Sequence, residues 1–125
     1  MKKLSILVFF LFTFNSAFAQ NSAKVQVVEP EVYKLAIKEG PKQFVDIRTS
    51  KEYDRGYIEG AENVDFLRDD FLLNMQKFDK EKPLYIYCRS GNRSSKAAAK
   101  LTEDGFTNII DLKGGFKAWN NVEKE

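Results

Sequence analysis

The chain has 125 residues, 43% of them hydrophobic, and its 20 lysines and arginines nearly balance its 18 aspartates and glutamates. At a net charge of +2, with no run of like charge, the composition gives no basis for nucleic acid or an anionic membrane surface as a partner. There is no histidine and only one cysteine. Cys-His and Ser-His catalysis, the usual zinc ligand sets and any disulfide within the chain are therefore excluded.

The first residues read as an export signal. Met1-Lys2-Lys3 is a short cationic start, Leu4 to Phe14 is almost wholly apolar, and Ala17-Phe18-Ala19 is a small-x-small cleavage pattern. The pattern predicts a signal peptide over residues 1–19, cleaved before Gln20, and a location in the periplasm or the medium. The apolar run is too short to span a bilayer, which takes roughly 20 residues. No cysteine stands at the cleavage point to carry a lipid anchor, so no membrane attachment is expected after cleavage. Lys2 and Lys3 also supply the whole excess of positive charge. Residues 20–125 are expected to form a single domain, long enough for one modest core.

Strand and helix patterns alternate through that domain. Lys24-Val25-Gln26-Val27-Val28 alternates as a strand, and Glu29-Pro30 opens a helix with proline in its first turn. Val32, Leu35 and Ala36 recur at helical spacing, flanked by Tyr33 and Ile37, and Gly40-Pro41 closes the element. Gln43 to Ile47 is a second strand, after which Thr49 or Ser50 caps a helical turn through Tyr53. Ala61 to Val64 is a brief third strand, and Asp69 or Asp70 caps a helix running over Phe71, Leu72, Met75 and Phe78. Leu84-Tyr85-Ile86-Tyr87 is a continuous apolar run, the signature of a strand buried on both faces. Ser94 or Ser95 opens an alanine-rich helix, with Gly105 at its left-handed end. Asn108 to Asp111 is the last strand, and Gly114-Gly115 turns into a helix holding Phe116 and Trp119. This alternation predicts an α/β fold with a central parallel sheet of about five strands and helices on both faces.

The single cysteine sits where such sheets bind ligands, at the carboxyl end of a strand. In "YCRSGNRSS" (Tyr87 to Ser95), Cys88 joins a buried strand to the start of a helix. A tight turn there points backbone N–H groups inward, and Gly91 permits the positive φ such a turn needs. The helix N-terminus, Arg89 and Arg93 add positive charge, and each favours thiolate over thiol. The same setting suits a small oxyanion such as thiosulfate, with Ser90, Asn92 and Ser94 as further donors and caps. Packing alone gives no reason for two arginines and a glycine around a buried thiol.

"CRSGNRS", preceded by Tyr85-Ile86-Tyr87 and followed by an alanine helix, resembles the active-site loop of the rhodanese-like sulfurtransferases. "DIRTSKEYDRGYIEGAENV" (Asp46 to Val64) is similar to that family's D-x-R…E-Y…G-H-I-x-G-A-x-N stretch, and "LKGGFKAW" (Leu112 to Trp119) to its closing G-G-x-x-x-W. The resemblance implies a single rhodanese-like domain. It also implies that Cys88 is the catalytic nucleophile, carrying sulfur as a persulfide between a donor such as thiosulfate and a cyanide, thiol or protein acceptor. By the same resemblance Arg89, Ser90, Gly91, Asn92, Arg93 and Ser94 surround the substrate, and Asp46 with Arg48 supports the loop from behind. An equally open reading of Asp46 and Arg48 is a surface ion pair at a strand end. No metal or other cofactor is expected. Where the family usually has histidine, this chain has Tyr57, and a local adjustment with retained activity is the expectation.

Three rivals share the loop chemistry. A cysteine phosphatase or arsenate reductase resembles Cys-x5-Arg, whereas Cys88 to Arg93 is Cys-x4-Arg, with Ser94 at the longer position. A persulfide carrier serving one protein partner has the same loop as an enzyme. A thiol–disulfide oxidoreductase lacks the second cysteine that resolves a mixed disulfide.

Overall fold

The computed structural model describes residues 22–124. The expected signal peptide, residues 1–19, and its cleavage point lie outside them. Among the described residues no helix is long and apolar enough to cross a membrane.

Five strands and five helices alternate: β1 (Lys24–Val28), α1 (Pro30–Lys38), β2 (Gln43–Asp46), α2 (Ser50–Asp54), β3 (Glu62–Asn63), α3 (Phe71–Met75), β4 (Leu84–Tyr87), α4 (Asn92–Glu103), β5 (Asn108–Leu112) and α5 (Gly115–Glu123). All strand pairs are parallel, in the order β1-β5-β4-β2-β3. The fold class is therefore the one expected.

A parallel sheet must bury both faces, and alternation along the strands allots residues to the two layers. Val45, Ile47, Leu84, Ile86, Cys88 and Ile109 meet α3 and α4 through Phe71, Met75, Ala97, Ala98 and Leu101. Phe44, Tyr85, Tyr87, Ile110 and Leu112 face the other way, toward Tyr33 of α1 and toward Phe116 and Trp119 of α5. Every residue of β4 is buried, as its apolar run requires. Cys88 thus leaves the central strand on the α4 side.

Three local expectations are corrected. The inward face of α1 carries Tyr33, with Ala36 and Ile37 beside it, while Val32 and Leu35 point to solvent at 58% and 66% exposure. Nearly every residue from Val32 to Ile37 is apolar, so hydrophobicity alone does not fix the face. Tyr33 fixes it, because its ring packs edge-on to Phe44 and Tyr85 and its hydroxyl donates to the Ile86 carbonyl at 2.9 Å. Helix α3 ends at Met75, short of Phe78, and Asp70 at its start pairs with Arg68 in place of capping. Helix α4 begins at Asn92, ahead of Ser94 and Ser95, because Gly91 takes a left-handed conformation (φ +103°) and starts the helix itself. Ser94 is therefore inside the first turn, and its side chain is turned inward and fully buried.

Candidate active site

Cys88 is the first residue past β4 and is 1% exposed. It packs within the apolar layer under α3 and α4, but two polar groups reach its sulfur. The Gly91 N–H donates to Sγ at 3.0 Å, and the thiol lies 3.4 Å from Ser94 Oγ as a donor. Gly91 brings its N–H back to the sulfur three residues earlier by way of its positive φ. The N-terminus of α4 starts at the same point, and its partial positive charge falls on the sulfur side of the loop.

The carbonyls of the loop are held elsewhere. Phe116 N–H donates to Cys88 O at 2.8 Å and Lys117 N–H to Arg89 O at 3.0 Å. The first turn of α5 thus docks its unpaired donors on the loop backbone. Gly114 and Gly115 make this approach possible: both have left-handed φ, +73° and +62°.

The two arginines differ. Arg89 is exposed, and its side chain makes no hydrogen bond or ion pair among the described residues. Arg93 is half-buried and forks onto Glu52, Nη1 to Oε1 at 2.7 Å and Nη2 to Oε2 at 2.9 Å. The guanidinium of Arg93 holds the Glu52 carboxyl down at about 2. Glu52 is fixed from its other side by a capping box with Thr49, which starts α2. Arg93 therefore ties the loop to α2, and Arg89 is the cation facing solvent. Ser90 and Asn92 are exposed on the rim.

Asp46 and Arg48 are buried, at 0% and 4% exposure, so the surface-pair alternative does not hold. Arg48 Nη2 lies 2.6 Å from Asp46 Oδ2, Nε contacts both carboxylate oxygens at 3.0 Å, and Nη2 also donates to Gly56 O at 2.6 Å. The guanidinium stacks 4.1 Å from the Phe116 ring centre. Because Phe116 N–H donates to Cys88 O, the pair is linked to the loop through α5, from the opposite face of the sheet. Tyr57 is half-exposed. It stacks on Tyr53 at 4.0 Å between ring centres and lines an open cavity of about 420 Å³ with Lys34, Ile58 and Trp119 on the α1–α5 side.

Sequence reasoning missed Glu52 and Asp111 as members of this site. The signal for Glu52 was the Thr49-x-x-Glu52 capping pattern. Asp111 follows Ile109 by two residues on β5, which places it on the α4 face. It is 3% exposed, its Oδ2 accepts from Ser94 Oγ at 3.0 Å, and its Oδ1 has no partner. Burial pushes its carboxyl up to about 6 against an ordinary 3.8, with the Ser94 hydrogen bond acting in the other direction. Between those values the native protein keeps a proton that the unfolded chain has released, so stability falls as pH rises from about 4 to about 6. The expected loss is up to about 3 kcal/mol. Urea titrations at pH 4 and pH 7 check this: Asp111→Asn should abolish most of the difference and be the more stable protein at pH 7.

Comparisons with known proteins bear on the family and the fold. The Rhodanese-like domain family profile matches residues 29–122. The chain is 37% identical to the Bacillus subtilis protein YqhL over 82 residues, covering 66% of this chain and 64% of that one, so it spans just under two thirds of that relative. It is 36% identical to the thiosulfate sulfurtransferase GlpE of Pseudomonas fluorescens over 94 residues, 74% of this chain and 84% of that protein. A crystal structure of a rhodanese-like domain protein from Staphylococcus aureus superposes with a TM-score of 0.68 at 32% identity, covering 75% of this chain and 90% of the other. A family profile spanning most of the described residues, together with this parallel sheet, settles the question of kinship: the chain belongs to the rhodanese-like domain family.

Proposed function

We propose that the protein is a thiosulfate-type sulfurtransferase, exported by its N-terminal signal and acting through a persulfide on Cys88. The observation that carries this reading is the Gly91 N–H directed at Cys88 Sγ at 3.0 Å from the start of α4, in a loop whose exposed cation is Arg89. Such a donor stabilises a sulfur anion, and Arg89 attracts an anionic donor to it. The relatives named as thiosulfate sulfurtransferases, 33 to 36% identical, support thiosulfate as the donor class.

In the proposed cycle the Cys88 thiolate attacks the outer sulfur of thiosulfate. A Cys88–sulfur bond forms, the sulfur–sulfur bond of thiosulfate breaks, and sulfite leaves with the electron pair. Cyanide or a thiolate then takes the outer sulfur and returns Cys88 as thiolate. A phosphatase is disfavoured, since Arg93 is committed to Glu52 and the loop presents no acid to a leaving group.

The test is the intact mass of the protein after incubation with thiosulfate, beside a Cys88→Ser control. The expected result is a gain of one sulfur atom on the wild type only, reversed by cyanide with release of thiocyanate. An unchanged mass on a Cys88 that still alkylates rules out thiosulfate, and loading by a protein partner then takes precedence. Export is tested by the N-terminus of protein recovered outside the cytoplasm, which should begin at Gln20.

The two arginines give a second, separable prediction. Arg89→Ala should raise KM for thiosulfate about tenfold with kcat nearly unchanged, the scale of one charge-assisted contact. Arg93→Ala leaves Glu52 unpaired at the loop, and should lower kcat as well as raising KM. Equal effects of the two variants on kcat in steady-state assays would contradict this division.

A further inference from the structure

A thiol that is 1% exposed, in a chain without histidine, needs both a route and an acceptor for its proton. Ser94 supplies a route. Its Oγ is 3.4 Å from Cys88 Sγ on one side and 3.0 Å from Asp111 Oδ2 on the other. With a single hydroxyl proton, it cannot donate to the sulfur and the carboxylate at once; Gly91 O, at 3.2 Å, is a third claimant.

Asp111 is unlike the other buried carboxylate, Asp46. Asp46 is satisfied by the guanidinium and the N–H of Arg48. Asp111 has one hydrogen bond, a bare Oδ1 and no ion pair among the described residues. Its register neighbours, Val27 on β1 and Ile86 on β4, are aliphatic. Of the cations on α4, Arg93 is tied to Glu52, Lys100 lies over the Phe66 ring, and Lys96 is exposed. Tyr33, on the other face of the sheet, is held protonated by its burial. A carboxylate in this position is costly if it only packs, and asparagine would fill the same space without charge.

We propose that Asp111, acting through Ser94, is the proton acceptor of Cys88, so that the three side chains share one negative charge. The charge rests on the carboxylate while Cys88 is a thiol, and on sulfur in the thiolate and the persulfide. In the transfer the Cys88 S–H bond breaks, Ser94 Oγ takes that proton, and the Ser94 proton passes to Asp111 Oδ2. No net charge is gained or lost. The protonated Asp111 then donates to Ser94 Oγ, and the Ser94 hydroxyl is free to donate to the sulfur anion beside the Gly91 N–H. A burial-raised carboxyl is suited to this exchange, since it holds a proton more readily than an exposed one. This inference rests on the reading of Cys88 as the sulfur carrier.

Two measurements on the full chain test it. The first is the pH profile of Cys88 alkylation in wild type and Asp111→Asn. Wild type should show two overlapping steps, and Asp111→Asn, with no carboxyl to share the charge, a single one. The second is the NMR titration of the Asp111 carboxyl carbon in Cys88→Ser and in the sulfur-loaded wild type. The persulfide anion should raise the Asp111 midpoint by a unit or more over the serine variant. Superimposable alkylation profiles, or an Asp111 midpoint indifferent to sulfur, would overturn the proposal. If Asp111→Asn does not fold, the carboxyl titration decides alone. If thiosulfate adds no sulfur, thiosulfate is ruled out as the donor, while the alkylation profiles still decide the role of Asp111.

Discussion

Gly115→Ala should cost about 3–5 kcal/mol and disable sulfur loading, although the contacts of residue 115 are with loop backbone and not with the thiol or a guanidinium. A Cβ at this position would lie 2.5 Å from Cys88 O and 2.6 Å from both the carbonyl carbon and the oxygen of Arg89. These are backbone atoms and cannot rotate aside, so either α5 or the loop must move. Overpacking of this kind costs about 1–3 kcal/mol, and the left-handed φ of +62° adds about 1–2 kcal/mol for a residue with a side chain. Displacing α5 also weakens the bonds from Phe116 and Lys117 to the loop, each worth about 1 kcal/mol. Against a total stability of about 5–15 kcal/mol, that is a large share. Thermal unfolding should show a drop of roughly 15 °C or more. Gly114→Ala separates the two consequences. Its Cβ would meet the Ala118 side chain at 2.7 Å and not the loop. It should lose stability while the folded fraction still loads sulfur at close to the wild-type rate. Wild-type loading by a folded Gly115→Ala protein would mean that α5 does not set the position of Cys88.

That comparison also marks how far the sequence could be read. β4, the loop and α4 were legible because three signals coincide there: a continuous apolar run, a glycine four residues past its end, and an alanine-rich amphipathic stretch. The sheet followed from alternation, and Gly91 from the geometry a tight strand-to-helix turn demands. What escaped was decided by contacts distant in sequence. The face of α1 was settled by the Tyr33 hydroxyl reaching Ile86, 53 residues away, and no local period contains that bond. Arg93 read as a free cation until Glu52, 41 positions earlier, was placed against it. Gly115 read as a turn residue, while its closest constraint is the backbone of Cys88 and Arg89. Asp111 stands in Ile-Ile-Asp-Leu, where its inward direction follows from alternation but its contact with Ser94 does not. A polar residue on the inward phase of a buried strand is the signal that was available.

The second large effect belongs to Arg48. Arg48→Ala should destabilise the protein by about 3–5 kcal/mol, because it leaves Asp46, fully buried, without its countercharge. The substitution also frees the Gly56 carbonyl from its 2.6 Å bond and removes the guanidinium that stacks at 4.1 Å on Phe116. Removing both charges should be milder than removing one. In Asp46→Leu combined with Arg48→Met no charge is left stranded, so a double-mutant cycle by urea denaturation at pH 7 should return a coupling of at least about 2 kcal/mol. The functional consequence follows the same path as the contacts. Phe116 loses the planar group beneath its ring, its N–H is the donor that holds Cys88 O, and the loop loses its anchor to α5. Arg48→Ala should therefore lower kcat for sulfur transfer more than it raises KM, since donor attraction is assigned to Arg89 on the exposed rim. A cost under 1 kcal/mol, or an effect confined to KM, would mean that the pair does not hold the loop from the far face of the sheet.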